Sequence, residues 1–193
     1  MSELTMRWSD VSGLKAMNKA LKVLGSKRFA GVSARAINHS GAKGRTQSKK
    51  KLVAQTGLKS KTINKAMRVR RASAANVSYV IKATGGDISL RHFGARETRR
   101  GVSAKPFNQR QIFRGTFIKG GRFPARVGLG LKGQVFKRDG KARLGISNIK
   151  SGVIIPKEMV RGETAKAWQG TIARFLPQRF GHEVRRATGK VFG

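Results

Sequence analysis

The chain has 193 residues, 38% of them apolar, with 43 Lys and Arg against 8 Asp and Glu and a formal net charge of +35. Cys is absent, which excludes disulfides and thiolate metal sites, and no apolar run reaches the length of a membrane span. Charge of this size opposes compaction unless a polyanion or acidic partner neutralises it, so a partner is implied before any motif is read.

The length suits one core, or one core with a helical arm. The N-terminal residues lack the apolar stretch of a secretory signal, and the expectation is a soluble protein of a reducing cytoplasm. Residues 1–11 read as an extended lead-in anchored by Trp8. Ser12 is placed to cap a helix beginning at Gly13 or Leu14. Leu14, Met17, Leu21 and Leu24 recur at helical spacing, and the pattern continues through Phe29, Val32 and Ala36. This predicts one long basic helix, or a helical hairpin, bent at Gly25 or Gly31. The segment from Ser40 to Lys51 is rich in Lys, Arg and Gly, and its glycines weaken it as a helix former. Ser60 is placed to cap a short helix over Lys61–Arg68 that buries Ile63 and Met67.

The period then changes to two. Val77, Tyr79, Ile81 and Ala83 alternate as in a strand that Gly85-Gly86 ends. Further strands are predicted at Ile88–Leu90, from Thr98 to Ser103, and over Gln111–Ile118. Val127, Leu129 and Leu131 alternate in the same way. Val135–Arg138 and Ala142–Ile146 flank Asp139-Gly140, a hairpin signal. Val153–Pro156 reads as a buried exit from an antiparallel sheet. Thr164 opens a C-terminal amphipathic helix carrying Trp168, Ile172, Phe175 and Leu176, which Pro177 should kink or break. The tail Arg185–Lys190 reads as basic and mobile. The fold class is α+β, divided as a basic helical region over 1–72, an antiparallel β core over 73–156 and a helix with basic tail over 157–193, one unit in all.

No chemistry of catalysis is legible. The eight acids are scattered, and His39, His92 and His182 lack ligand spacing. Gly128–Gly133 spells GxGxxG, but no helix is predicted after it, so a dinucleotide site is rejected. An enzyme, a cofactor and a small-molecule substrate are therefore not expected.

The cationic clusters are the chemical signal. No acid occurs between Asp10 and Asp87. Lys49, Lys50 and Lys51, then Arg68, Arg70 and Arg71, then Arg96, Arg99 and Arg100 are the candidate contacts to a partner or to DNA. Gly94 and Gly101 are candidate structural turns, with Gly94 expected at positive φ. Lysine clusters of this kind are often only a solvated face. A single Tyr and the lack of a finger, homeodomain or KH pattern argue against sequence-specific readout. Backbone-only, salt-sensitive contact with nucleic acid stays open, as in a ribosomal or nucleoid-type binding protein.

Ile88-x-Leu90-x-x-Phe93-Gly94-Ala95-Arg96, then Thr98-x-x-Gly101-Val102-Ser103 and Arg114-Gly115-x-Phe117-Ile118, resemble the minor tail protein Z family of tailed bacteriophages. The resemblance reaches upstream to Ala16–Leu21 and Thr56–Lys59 and covers the first two-thirds of the chain. After Ile118 the chain departs from the family's Gly-His-Arg-Gly-Val-Phe type of run and inserts Gly120–Gly133. The resemblance implies a non-enzymatic tail-completion protein of the virion neck, assembled in the host cytoplasm as a ring, expected as a hexamer. It implies the tail terminator and head–neck proteins of the adaptor and portal side as partners, with genomic DNA in the channel. A globule of this length stands roughly 40 Å tall, and duplex DNA crossing that height presents on the order of 24 phosphates. One subunit's +35 exceeds that, so DNA cannot be the only counter-charge.

Overall fold

The computed structural model describes residues 2–5, 11–141 and 145–189. Strand β1 (Ser2–Thr5) precedes helix α1 (Val11–Thr56), helix α2 (Ser60–Ala66) and strands β2 (Met67–Arg70), β3 (Val80–Ala83) and β4 (Asp87–Ser89). A 3-10 turn at Leu90–Phe93 leads to β5 (Arg96–Thr98) and β6 (Gly101–Ala104), and a second at Pro106–Asn108 leads to β7 (Gln111–Arg114) and β8 (Thr116–Phe117). Then come β9 (Lys119–Gly120), β10 (Val127–Gly128), β11 (Phe136–Arg138), β12 (Ile146–Asn148), β13 (Lys150–Ile154), the short α3 (Ile155–Met159) and α4 (Gly162–Thr188). The architecture is α+β.

Helix α1 has 46 residues and is interrupted at Gly25, whose φ of 70° and ψ of 161° are not helical. The bend falls at one of the two glycines expected for it. The stretch from Ser40 to Lys51 is fully helical despite its glycines, because they are packing positions. A β-carbon on Gly41 would lie 2.5 Å from the Tyr79 ring, and one on Gly44 would lie 2.8 Å from Trp168. Those two rings stack at 6.3 Å over the notch the glycines leave.

Helices α1 and α4 form the main seam. Val32, Ala36, Ser40, Gly44, Ser48, Leu52 and Thr56 are buried on α1 at intervals of four residues. On α4, Thr164, Trp168, Ile172, Leu176, Phe180 and Val184 follow the same interval, so the i±4 ridge of each helix meets the other. Small residues on one side admit large ones on the other. Of the kink or break expected at Pro177, the break does not occur: α4 continues through it. Pro177 faces solvent, where water can take the carbonyl it leaves unpaired, while Leu176 and Phe180 hold the helix against α1. The predicted mobile tail is also helical through Thr188, with Val184 buried; Lys190 lies outside the described residues.

Among the described residues the strand pairings are antiparallel, but they form five small sheets instead of one. The lead-in is paired: β1 lies against β3, with β2 on the other side. Trp8 lies outside the described residues. Helix α1 starts at Val11 and α2 at Ser60, with Lys59 as its N-cap, so neither Ser12 nor Ser60 is the capping residue. Three predicted strands are shorter or folded. Ile88–Leu90 runs into a 3-10 turn at Leu90, and Gln111–Ile118 divides at Gly115, where φ is +70°. The run from Thr98 to Ser103 is a hairpin turned by Arg99-Arg100, with Thr98 opposite Gly101. Asp139-Gly140 does begin a reversal, but Arg138 pairs with Ile146 and the Asp139 N–H donates to the Gly145 carbonyl at 2.9 Å, so those two residues alone do not join the strands. Of the predicted Ala142–Ile146 strand, 142–144 lie outside the described residues.

Candidate interaction surfaces

The nine cationic candidates fall on three separate pieces of the fold. Lys49, Lys50 and Lys51 belong to α1 beside the buried Ser48 and Leu52, with Lys50 and Lys51 exposed and Lys49 half-buried. Arg68 and Arg70 project from β2, on the opposite face from Met67, and Arg71 follows them; all three are exposed. Arg68 is in register with Lys82, and Glu3 occupies the register position on the far side of Lys82. The end of this strand is fastened to α1. The Asn38 amide donates to the Ala72 carbonyl at 2.9 Å and accepts its N–H at 2.8 Å, replacing a missing strand partner. Arg71 is thereby held close enough to Tyr79 to act on it electrostatically together with Arg45.

Arg96, Arg99 and Arg100 are on the β5–β6 hairpin, all exposed. Arg96 lines one cleft with Phe123 and Pro124, and Arg99 and Arg100 line the next; Lys119 and Arg126 border both. Gly94 ends the 3-10 turn in the left-handed region, with φ 63° and ψ 44°. Gly101 has φ 142°, and a β-carbon there would overlap the Phe113 carbonyl oxygen across the β6–β7 pairing.

Two acids that sequence reasoning passed over organise these surfaces. Glu97 accepts the Ile118 N–H at 2.6 Å, the Lys119 N–H at 2.8 Å and Arg126 at 3.0 Å. Burial alone would raise its pKa; the two backbone donors and the Arg126 charge outweigh that and hold it below the ordinary value. One carboxylate thus pins the inserted segment to β5. Its signal was available, because Glu97 is the only acid between Asp87 and Asp139.

Glu183 is the second. It is fully buried on α4, takes the Arg35 Nε–H at 2.8 Å, and meets Arg179 at 2.6 Å. Burial pushes its pKa up, but the Arg35 hydrogen bond and the charges of Arg179, Arg35 and Arg186 pull it lower overall. Arg35 therefore braces α1 to α4 and is not a free member of the basic helix face. A third polar joint is Gln55, which donates to Glu158 at 2.7 Å and accepts the Thr164 hydroxyl at 3.0 Å. It ties the end of α1 to the start of α4.

Among the described residues no group of three His, Asp or Glu could hold a metal ion, and no helix is long and apolar enough to cross a membrane. After Gly128–Gly133 the chain passes to β11 with no helix, so the GxGxxG spelling has none of the geometry that cradles a pyrophosphate. The arrangement offers cationic surfaces on a braced two-helix frame and two basic clefts among small sheets. A family model described as prophage minor tail protein Z matches residues 11–190. No curated protein and no solved structure matched the chain.

Proposed function

Because this chain belongs to the prophage minor tail protein Z family, whose members are structural tail proteins, we propose that it completes the head-proximal end of a phage tail. It forms a ring there, a hexamer, and bridges the tail terminator to the head–neck proteins around the DNA channel. It is a virion component assembled in the host cytoplasm, and it has no catalytic activity of its own. The observation that carries this reading is a family match that runs from the start of α1 to the end of α4. The charge supports it: a protein with +35 needs dense counter-charge, and a neck supplies both DNA and neighbouring proteins.

In this placement α1 with Lys49–Lys51, and β2 with Arg68, Arg70 and Arg71, face acidic neighbours and in part the channel. Arg96, Arg99 and Arg100 belong to subunit or neighbour contacts. A cryo-EM map of the intact virion neck tests it: density for α1 and α4 in a ring between tail terminator and portal is the expected result. A chain missing from purified virions, but copurifying stoichiometrically with cellular RNA or DNA, overturns it in favour of a ribosomal or nucleoid-type binder. The non-enzymatic reading fails if a metal-dependent nuclease activity survives repurification and disappears with one acidic substitution.

A further inference from the structure

Most of the exposed large apolar side chains among the described residues lie between Phe107 and Ile146, in the small sheets and the inserted segment. Three of them, Leu129, Leu131 and Ile146, line a cleft of about 580 Å³ together with the cationic Arg99, Arg100 and Arg138. Leu129 and Leu131 are 44% and 36% exposed. Leu129 lies over Gly120, where a β-carbon would come within 2.8 Å of it, so the apolar floor is set by the β9–β10 pairing. Arg138 stands over the Phe117 ring, so the cationic rim is also built on apolar support.

We propose that this cleft binds a short extended segment of a partner protein in which acidic and apolar side chains alternate. Carboxylates meet Arg99 and Arg100, and the apolar side chains cover Leu129, Leu131 and Ile146. A second copy of this chain is a poor source of that segment, because it carries 8 acids against 43 cations. Every acidic side chain described is already engaged within its own molecule: Asp87 by Ser151 and the Gly152 N–H, Glu97 by Arg126, Asp139 by Ser147. Glu158 is taken by Arg161, Glu163 by Lys166, and Glu183 by Arg35 and Arg179. The apolar floor disfavours DNA, whose interfaces are more polar than those between proteins and whose phosphates give Leu129 and Leu131 nothing to bury against. An extended peptide presents alternate side chains to opposite sides, so every second residue can fill the cleft while the others reach its rim.

This inference stands on the cleft alone and does not rest on the neck placement, so each can fail without the other. The test is fluorescence anisotropy of the full chain with a labelled peptide alternating Glu and Leu, against a charge-matched Glu and Ser peptide. The Glu/Leu peptide should bind about tenfold tighter or more, as burial of two or three apolar side chains predicts. Leu129→Ser with Leu131→Ser should abolish that advantage and leave the Glu/Ser peptide unchanged. Should that variant lose its fold by circular dichroism, Arg99→Ser with Arg100→Ser decides instead. It should weaken the Glu/Leu peptide about tenfold more than Lys59→Ser with Lys61→Ser, which removes equal charge elsewhere. Equal binding of the two peptides, or equal loss in the two charge variants, would reduce the cleft to nonspecific attraction and overturn the proposal. So would short duplex DNA whose affinity falls with the Leu pair, since DNA would then be the occupant.

Discussion

Glu183 and His39 face each other across the α1–α4 seam, and both titrate in the same direction. The pKa of His39 is lowered from 6.5 first by burial and then by Arg179 and Lys43, against a smaller opposing pull from Glu183. The unfolded chain therefore takes up a proton there that the folded chain resists, and stability falls as pH drops below 6.5. Glu183 and Glu97 are lowered from 4.5, so their contribution is complete above 4.5 and is lost as pH falls through the folded values. The melting temperature should accordingly fall in two stages between about pH 7 and about pH 3. His92 is lowered from 6.5 as well, first by burial and then by Arg91. His39→Gln should therefore reduce the first stage without removing it, and Glu183→Gln should reduce the second. A His39→Gln curve parallel to the parent would take His39 out of the account. Glycine provides the other residue-scale contrast. Gly94 needs only the left-handed conformation and has nothing within 4 Å of a β-carbon, so Gly94→Ala should cost about 1–2 kcal/mol. At Gly101 the overlap with Phe113 adds displacement of the β6–β7 pairing, and Gly101→Ala should cost about 2–4 kcal/mol. Urea denaturation that ranks the two equally would contradict the steric assignment.

At the scale of elements, α1 shows packing overriding propensity. Removing glycine from a helix interior usually helps, by about 0.4–1 kcal/mol where the new methyl group meets nothing. Gly170 on α4 is such a site, exposed with nothing within 4 Å, and Gly170→Ala should raise the melting temperature. Gly44→Ala should lower it, because the methyl group meets Trp168 inside a filled seam, where overpacking costs about 1–3 kcal/mol. Opposite signs for one substitution in two helices would be hard to obtain from propensity alone; equal signs would mean that the Tyr79–Trp168 stack can move aside. Pro177 follows the same logic, since its missing hydrogen bond falls on the solvent side while its neighbours at 176 and 180 stay buried.

For the whole molecule, charge is the dominant property. Self-repulsion among 43 cations weakens with ionic strength, so the isolated protein should melt at higher temperature as salt rises from about 0.02 to about 0.5 M, over which screening shortens to a few ångströms. Contacts with an acidic neighbour or DNA should weaken over the same range. The triple variant Lys49→Glu, Lys50→Glu, Lys51→Glu separates the two effects. Its melting temperature in low salt should equal or exceed the parent's, because like charge is removed from α1. It should nevertheless fail to complete tails or join heads. Infectious particles at normal yield from that variant would leave Lys49–Lys51 as a solvated face.

Sequence alone determined the α+β class, a basic helical N-terminal region with a bend at Gly25 or Gly31, the amphipathic C-terminal helix and the family, because periodicity, charge and short motifs are local properties of the chain; the fold chose Gly25. The resemblance first rested on residues up to Ile118, and the family match extends it to residue 190. Tertiary structure decided what local pattern could not. The alternation of Val127, Leu129 and Leu131 reads as a half-buried strand, yet all three are exposed, since no second layer covers them. Gly41 and Gly44 look like helix breakers until Tyr79 and Trp168 arrive from distant parts of the chain. Arg35 looks like one more cation of a basic face until Glu183, 148 residues away, takes its Nε–H. In each case the deciding energy comes from an atom far off in sequence, and only the folded chain brings that atom within a few ångströms.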